Sequence, residues 1–113
     1  KYGALRPETR VPVSDGVGVV DSVGAGVTAV AAGDRVACPH FVSWIGGDFS
    51  PTAFGADLGV SLDGWLAEKI AVPAAALVKI PDVISDDDAA TLSAAGLTAW
   101  QSVVEVGEVK PGQ

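Results

Sequence analysis

One glycine-rich stretch of the chain has the spacing of a cofactor-binding motif. Residues Gly24 to Ala29 read G-A-G-V-T-A, which matches G-x-G-x-x-A. In dinucleotide-binding folds that pattern places the N-terminus of a helix against a pyrophosphate. Only a few residues separate Ala29 from the tight turn expected at Gly33-Asp34, too few for such a helix. We therefore predict a glycine turn between two strands and no pyrophosphate site.

The single cysteine and the single histidine of the chain lie close together, in Cys38-Pro39-His40. A lone cysteine at the end of a strand is typical of a small buried hydrophobic residue. His40 has no partner at a spacing that favours metal binding or nucleophilic catalysis. We therefore predict no metal site at these residues, and we expect His40 to border a substrate cleft.

Aromatic residues are scattered through the stretch from 39 to 63, which has glycines and prolines but no regular period. A loop of this length is usually functional or forms a packed lobe. Trp44, Phe49 and Phe54 therefore have two interpretations: they line an apolar substrate pocket, or they pack beneath the loop. Asp15 is also ambiguous, since a carboxylate there either forms a salt bridge or caps a turn.

The elements that position these residues are predicted to be mainly β-strands followed by C-terminal helices. Valines separated by glycines predict a small, curved, partly closed barrel. The predicted strands are residues 16–23, 35–38, 65–72 and 77–80. Ser85 is predicted to cap a first helix. A second helix is predicted over 97–106, with Leu97, Trp100 and Val104 on one face and a break before it at Gly96.

Composition excludes several classes of partner. The formal charge of −7 argues against nucleic acid and anionic membranes, which bind basic surfaces. No apolar run reaches the roughly 18 residues of a membrane span. A single cysteine excludes an internal disulfide and fits a reducing compartment, so we expect a cytoplasmic protein.

Several ordered motifs carry a family resemblance. G-V-V-D-S-V-G-A-G-V followed by G-D-R-V is similar to the medium-chain dehydrogenase/reductase superfamily, and the likeness continues through D-G-W-L-A-E, L-V-K-I-P and A-G-L-T-A-W. The resemblance implies a GroES-like β-barrel. It also implies that residues 1–113 are an incomplete catalytic domain, a fragment that lacks the Rossmann nucleotide-binding domain.

The resemblance also bears on zinc. Zinc-dependent relatives carry histidine and glutamate where this chain has Ser14-Asp15, and cysteine where it has Ala94. Their structural zinc needs four cysteines, and only Cys38 is present. These departures resemble the zinc-independent, quinone oxidoreductase-like branch, so the expectation is no zinc.

In that family the threonine matching Thr98 lies near the nicotinamide ring, so Thr98 is the expected cofactor contact and no catalytic residue is assigned. The expected function is NAD(P)H-dependent reduction of a quinone, enone or similar small carbonyl compound, with this chain inactive alone. The alternatives are a non-catalytic GroES-like interaction module and an alcohol dehydrogenase without metal. Strand edges left bare by missing strands predict a homodimer or larger assembly.

Overall fold

The computed structural model describes residues 10–112, and its β-structure is one small antiparallel sheet. Strands β1 (Val17–Val19), β2 (Arg35–Ala37) and β3 (Val78–Lys79) pair in the order β1-β2-β3. Gly18 lies opposite Val36 in the first pair. The sheet of the described residues is open, with β1 at one edge and β3 at the other.

Three of the four predicted strands are present but shorter than predicted. The fourth, over residues 65–72, is wrong: the described chain there forms bends and irregular backbone. The N–H of Trp65 does bond to the carbonyl of Val13 at 2.8 Å, but the N–H of Ala67 turns back to the carbonyl of Trp65 at 2.7 Å. This tight local turn ends the pairing before a strand can form.

The indole of Trp65 explains the glycines just before and within β1, at Gly16 and Gly18. A Cβ at Gly16 would lie 2.3 Å from Trp65 Cγ, and a Cβ at Gly18 would lie 3.3 Å from Trp65 Cζ3. Only glycine leaves room for the ring at the first position, because no real Cβ approaches another heavy atom so closely. The packing of Trp65 on bare backbone joins the sheet to the segment after residue 64.

The connection between β1 and β2 is the predicted pair of glycine turns. Gly26 and Gly33 have φ values of 81° and 92°, in the left-handed region that glycine adopts without strain. The carboxylate of Asp34 accepts a hydrogen bond from the N–H of Ala31 at 2.8 Å and closes the second turn. No helix follows Gly24 to Ala29 in the described chain, so the predicted glycine turn is confirmed.

The first helix, α1, spans Asp86–Ala89 and begins as predicted. The hydroxyl of Ser85 accepts a hydrogen bond from the N–H of Asp88 at 3.1 Å. Arg35, on β2, fixes the start of α1 to the sheet: its guanidinium contacts the Asp86 carboxylate at 2.6 Å and donates to the carbonyl of Ile84 at 2.8 Å.

The C-terminal helix runs without interruption over residues 92–106. It comprises a π-helical segment Leu92–Gly96, the α-helix α2 (Leu97–Trp100) and a second π-helical segment Gln101–Val106. The predicted break at Gly96 is wrong. Gly96 has helical angles and its N–H bonds to Thr91 O at 2.8 Å, while its missing side chain lets Leu92 Cδ2 approach to 3.1 Å from the Cβ position.

The face predicted from Leu97, Trp100 and Val104 is not buried. These side chains are 57%, 60% and 39% exposed in the described structure. The burial expected from their helical spacing therefore does not occur within residues 10–112. No described helix is long and apolar enough to cross a membrane.

The hydrophobic core lies beside the sheet, under the irregular lobe formed by residues 39–63. Its buried members are Cys38, Val42, Leu58 and Ala76. Cys38 is completely buried, and burial raises the pKa of its thiol to about 11. The thiol is therefore a packed hydrophobic group and not a nucleophile, in agreement with the sequence prediction.

We predict that Gly16→Ala destabilises the chain, because the new methyl group overlaps the Trp65 ring. Overpacking of this kind costs about 1–3 kcal/mol. The matched control is Gly24→Ala, since a Cβ at Gly24 meets nothing within 4 Å. Urea unfolding should show a lower free energy of unfolding for Gly16→Ala and a change within about 0.5 kcal/mol for Gly24→Ala. Equal free energies for the two variants would contradict the packing described.

Candidate functional site

A cavity of about 830 Å³ lies between the irregular lobe and the C-terminal helix. Its volume is within the range of about 300–1,000 Å³ typical of small-molecule sites. The cavity is lined by three parts of the chain: Ser14 ahead of β1, the lobe, and one face of the C-terminal helix. The lobe contributes Pro39, His40, Phe41, Trp44, Gly47 and Val60.

The helix face that lines the cavity repeats every four residues. The lining residues are the adjacent pairs Ser93 and Ala94, Leu97 and Thr98, and Gln101 and Ser102. The π-helical segments contribute to this alignment, because hydrogen bonds from residue i to i−5 widen the turn beyond 3.6 residues. Two such bonds are seen at Gly96 to Thr91 and at Gly107 to Ser102.

Asp15 connects the segment before β1 to the helix that lines the cavity. Its carboxylate accepts hydrogen bonds from the N–H of Ala94 at 2.5 Å, from the N–H of Ala95 at 2.9 Å and from the Ser93 hydroxyl at 2.8 Å. The N–H groups at the start of a helix have no partner inside the helix, so a carboxylate there both satisfies them and complements the positive end of the helix. Asp15 therefore caps this helix from a segment about 80 positions earlier in the chain.

The backbone just before Asp15 is strained. Val13 has φ of 78°, which is unfavourable for a β-branched residue. Its carbonyl accepts the N–H of Trp65 at 2.8 Å, and the Cβ of any residue replacing Gly64 would lie 2.1 Å from the same oxygen. These close contacts hold the turn that presents Ser14 to the cavity and Asp15 to the helix.

The aromatic residues of the lobe form one cluster at the mouth of the cavity. Phe41 is its centre, with ring centroids 6.4 Å from Trp44, 5.8 Å from Phe49 and 5.6 Å from Phe54. Trp44 lines the cavity, whereas Phe49 and Phe54 support the cluster from outside the lining. Both sequence interpretations therefore describe part of the arrangement.

Four polar side chains that line the cavity make no hydrogen bond within residues 10–112. They are Ser14, Thr98, Gln101 and Ser102. Thr98 is thus not a helix-interior threonine whose hydroxyl bonds to the preceding turn. These groups are available to a bound molecule or to water.

No Asp, Glu, Lys or Arg is among the residues that line the cavity in the described chain. A charge lies behind the wall, at Asp57. Burial alone raises the pKa of Asp57, but hydrogen bonds from the Ser61 hydroxyl and the Gly55 N–H, together with nearby His40, outweigh burial and hold the pKa below its ordinary value. Asp57 is therefore ionised at neutral pH. Its hydrogen bonds stabilise the loop, and the residue does not line the cavity.

The sequence analysis missed three polar lining residues, Ser93, Gln101 and Ser102. Their spacing with Ala94, Leu97 and Thr98 was a usable signal, because small and polar residues recur at intervals of four along a predicted helix. The role of Asp15 had no local signal, since its partners lie far away in sequence. Ser14 and Ala94, the positions at which zinc-dependent relatives carry metal ligands, both line this cavity.

Comparison with known proteins assigns the family. The alcohol dehydrogenase GroES-like domain matches residues 1–82, which is most of the chain. A crystal structure described as an alcohol dehydrogenase from Sinorhizobium meliloti superposes with a TM-score of 0.77 at 36% identity, covering 91% of this chain and 31% of that one. The chain belongs to the alcohol dehydrogenase GroES-like family, of the medium-chain dehydrogenase/reductase superfamily, and the predicted fold class is confirmed.

Two further relatives are similar over nearly the same span. A zinc-type alcohol dehydrogenase-like protein of Schizosaccharomyces pombe is 38% identical over 104 residues, covering 90% of this chain and 30% of the relative. An alcohol dehydrogenase of Geobacillus stearothermophilus is 36% identical over 110 residues, covering 91% and 32%. The chain thus spans about a third of the length of these relatives.

We predict that Asp15→Ala destabilises the chain by about 1–3 kcal/mol, because it leaves the N–H groups of Ala94 and Ala95 without their acceptor. Asp48→Ala is the matched control, since Asp48 is exposed and has no hydrogen bond or ion pair in the described chain. Amide hydrogen exchange should accelerate at Ala94 and Ala95 in Asp15→Ala alone. Unchanged protection of these two amides would contradict the capping role.

Proposed function

We propose that this chain forms the GroES-like part of an NAD(P)-dependent oxidoreductase that reduces a quinone, enone or similar carbonyl compound without zinc. The observation that carries the proposal is the makeup of the cavity. Its wall combines aromatic and aliphatic side chains with unbonded hydroxyl and amide groups, and no Asp, Glu, Lys or Arg lines it in the described chain. Such a cavity suits a neutral, largely apolar substrate beside a nicotinamide ring.

The donor set of the cavity does not fit a catalytic zinc. Such an ion takes three protein ligands from cysteine, histidine and carboxylate side chains. In the described residues no three groups of these types are placed to hold a metal. At the cavity, Ser14 and Ala94 stand where zinc-dependent relatives supply histidine and cysteine. The proposed function therefore uses no metal-dependent step.

The cavity wall does fit a nicotinamide. Thr98 lines the cavity at the centre of the helix face, and its hydroxyl has no partner within the described chain. A hydroxyl both donates and accepts, so it can hold a carboxamide and fix which face of the ring is presented. Gln101, one turn further along, provides a second amide-compatible contact. The chemistry that this cofactor supplies when bound is the transfer of a hydride.

The chain's own contribution is position and exclusion of water. Phe41 and Trp44 form the apolar side of the cavity opposite the helix face. Leu97 adds an aliphatic surface between the polar pairs. Holding reactants against such walls removes the entropy cost of bringing them together, and that is where most of the catalytic gain of this chain would lie.

Alcohol oxidation without metal is the second candidate for the same cavity. The names of the Schizosaccharomyces pombe and Geobacillus stearothermophilus relatives favour an alcohol as the substrate, since they are described as a zinc-type alcohol dehydrogenase-like protein and an alcohol dehydrogenase. The absence of metal in this candidate rests on Ser14 and Ala94 and not on those names. The two candidates differ in substrate, not in the site. Steady-state assays of the longer protein with paired alcohols and enones separate them, because the first candidate predicts reduction of the enone with NAD(P)H and the second predicts oxidation of the alcohol with the oxidised cofactor.

We predict that the chain, purified without chelator, holds far less than one zinc per chain. The reason is the absence of metal-ligand side chains at Ser14 and Ala94. Inductively coupled plasma mass spectrometry measures the ratio directly. One tightly held zinc per chain would contradict the proposed function.

We predict that Thr98→Val, in a longer protein that continues this chain to the length of its relatives, weakens cofactor binding or turnover. The expected loss is about 1 kcal/mol, the scale of one hydrogen bond. Calorimetry with NADH and NADPH, together with kcat/KM, measures it.

Thr28→Val is the matched control, because Thr28 is exposed and lies outside the cavity lining. The 113-residue chain alone is expected to bind either cofactor too weakly to measure, since no helix follows Gly24 to Ala29 in the described chain to hold the pyrophosphate. Equal affinities for Thr98→Val and Thr28→Val would contradict the assignment of Thr98. Micromolar cofactor binding by the chain alone would contradict the proposal that cofactor binding requires the longer protein.

A further inference from the structure

His40 is the one residue lining the cavity in the described chain whose neutral side chain has two tautomers. It is also the only histidine of the chain. Its backbone is fixed, because its carbonyl accepts the N–H of Leu58 at 2.9 Å. Its ring packs against Phe41, with centroids 4.5 Å apart and planes inclined at 60°. The imidazole is therefore held in one position at the cavity wall.

The two ring nitrogens of His40 have different surroundings. Nδ1 is buried and has no hydrogen-bond partner. Nε2 is not buried in this way, so it is the ring nitrogen that can reach the cavity. The difference matters because leaving a buried N–H without an acceptor costs more free energy than leaving a buried nitrogen lone pair without a donor.

These surroundings decide the tautomer. In the neutral ring one nitrogen carries hydrogen and the other carries a lone pair. Placing the hydrogen on Nδ1 would bury an unsatisfied donor, whereas placing it on Nε2 gives the donor an open side. The neutral ring therefore carries its hydrogen on Nε2, and His40 presents a hydrogen-bond donor to the cavity.

We propose that His40 donates this Nε2–H hydrogen bond to the carbonyl oxygen of a neutral substrate in the cavity. The inference deepens the proposed function and rests on it for the substrate class. A carbonyl oxygen is the matching partner, because it accepts hydrogen bonds and donates none. A charged substrate is excluded by the same wall, which offers no counter-ion among the described lining residues.

The contact would act on the reaction and not only on binding. A donor aimed at a carbonyl oxygen stabilises the negative charge that develops there when hydride adds to the carbon skeleton. His40 is thus a substrate-contacting residue that the sequence analysis could only place at the border of a cleft. The nearby carboxylate of Asp57 accepts hydrogen bonds from Ser61 and Gly55 in the loop behind the wall, and it makes no hydrogen bond to His40 in the described chain.

The first test is the tautomer of His40 in the 113-residue chain, without cofactor. Nitrogen-15 NMR of a chain with one histidine gives one pair of ring resonances, which distinguish a protonated nitrogen from an unprotonated one. At a pH where the imidazole is neutral, we expect the proton on Nε2. A proton on Nδ1 would overturn the proposal.

The second test uses two probes of the same shape. Cyclohexanone carries a carbonyl oxygen, whereas methylenecyclohexane carries a CH₂ group in its place. Titration of the labelled chain should move the Nε2 resonance saturably with cyclohexanone and leave it in place with methylenecyclohexane. Equal responses to the two probes, or none to cyclohexanone, would overturn the proposal.

Two variants separate the donor from the shape of the ring. His40→Gln places an amide donor near the position of Nε2 and should keep cyclohexanone affinity within about twofold. His40→Asn places its amide near the position of Nδ1 and should weaken cyclohexanone binding about fivefold, the effect of one lost hydrogen bond. The reverse order would contradict the proposal. None of these measurements uses a nicotinamide, so their failure is distinct from failure of the proposed function.

Discussion

The hydrogen bonds from the backbone of Ala94 and Ala95 to the carboxylate of Asp15 are the constraint on which the rest of the site depends. They join a segment before the first strand to a helix about 80 residues later. A carboxylate is well suited to this task, because it satisfies two orphan N–H groups and complements the helix dipole at once. These bonds fix the position of Ser14 relative to the helix face that lines the cavity.

The cavity that this contact defines is chemically uniform in one respect: its walls are neutral. Aromatic side chains form one wall, and a helix face with unbonded hydroxyl and amide groups forms the other. Thr98, Gln101 and Ser102 are exposed in the described chain, so a bound ligand would exchange their hydrogen bonds with water for bonds of its own. A nicotinamide and a carbonyl compound together supply partners of the right kind, and this match is the physical basis of the proposed function.

The turn and the helix cap were predictable from the sequence, whereas the backbone turn at Trp65 and the packing of Gly96 were not. The turn at Gly33 and the cap at Ser85 follow from a few neighbouring residues, so their prediction succeeded. The strand predicted over 65–72 does not form, although the apolar pattern is present. The reason is that the N–H of Ala67 bonds back to the carbonyl of Trp65. The predicted break at Gly96 failed because the glycine serves close approach of Leu92 within a continuous helix.

In the site, residue types could be selected from the sequence, whereas contacts between distant residues could not be predicted. Thr98, Trp44 and His40 were selected from motif and residue type, and all three lie on the wall of one cavity. The bonds of Asp15 and the unusual φ of Val13 required three-dimensional information, since their partners are far away in the sequence.

The most direct test of this account is a crystal structure of the longer protein with oxidised nicotinamide cofactor bound, from data collected at the zinc absorption edge. The account predicts the carboxamide within hydrogen-bond distance of the Thr98 hydroxyl and no anomalous peak between Ser14 and Ala94. A nicotinamide ring outside the cavity, or a metal peak between these two residues, would contradict it.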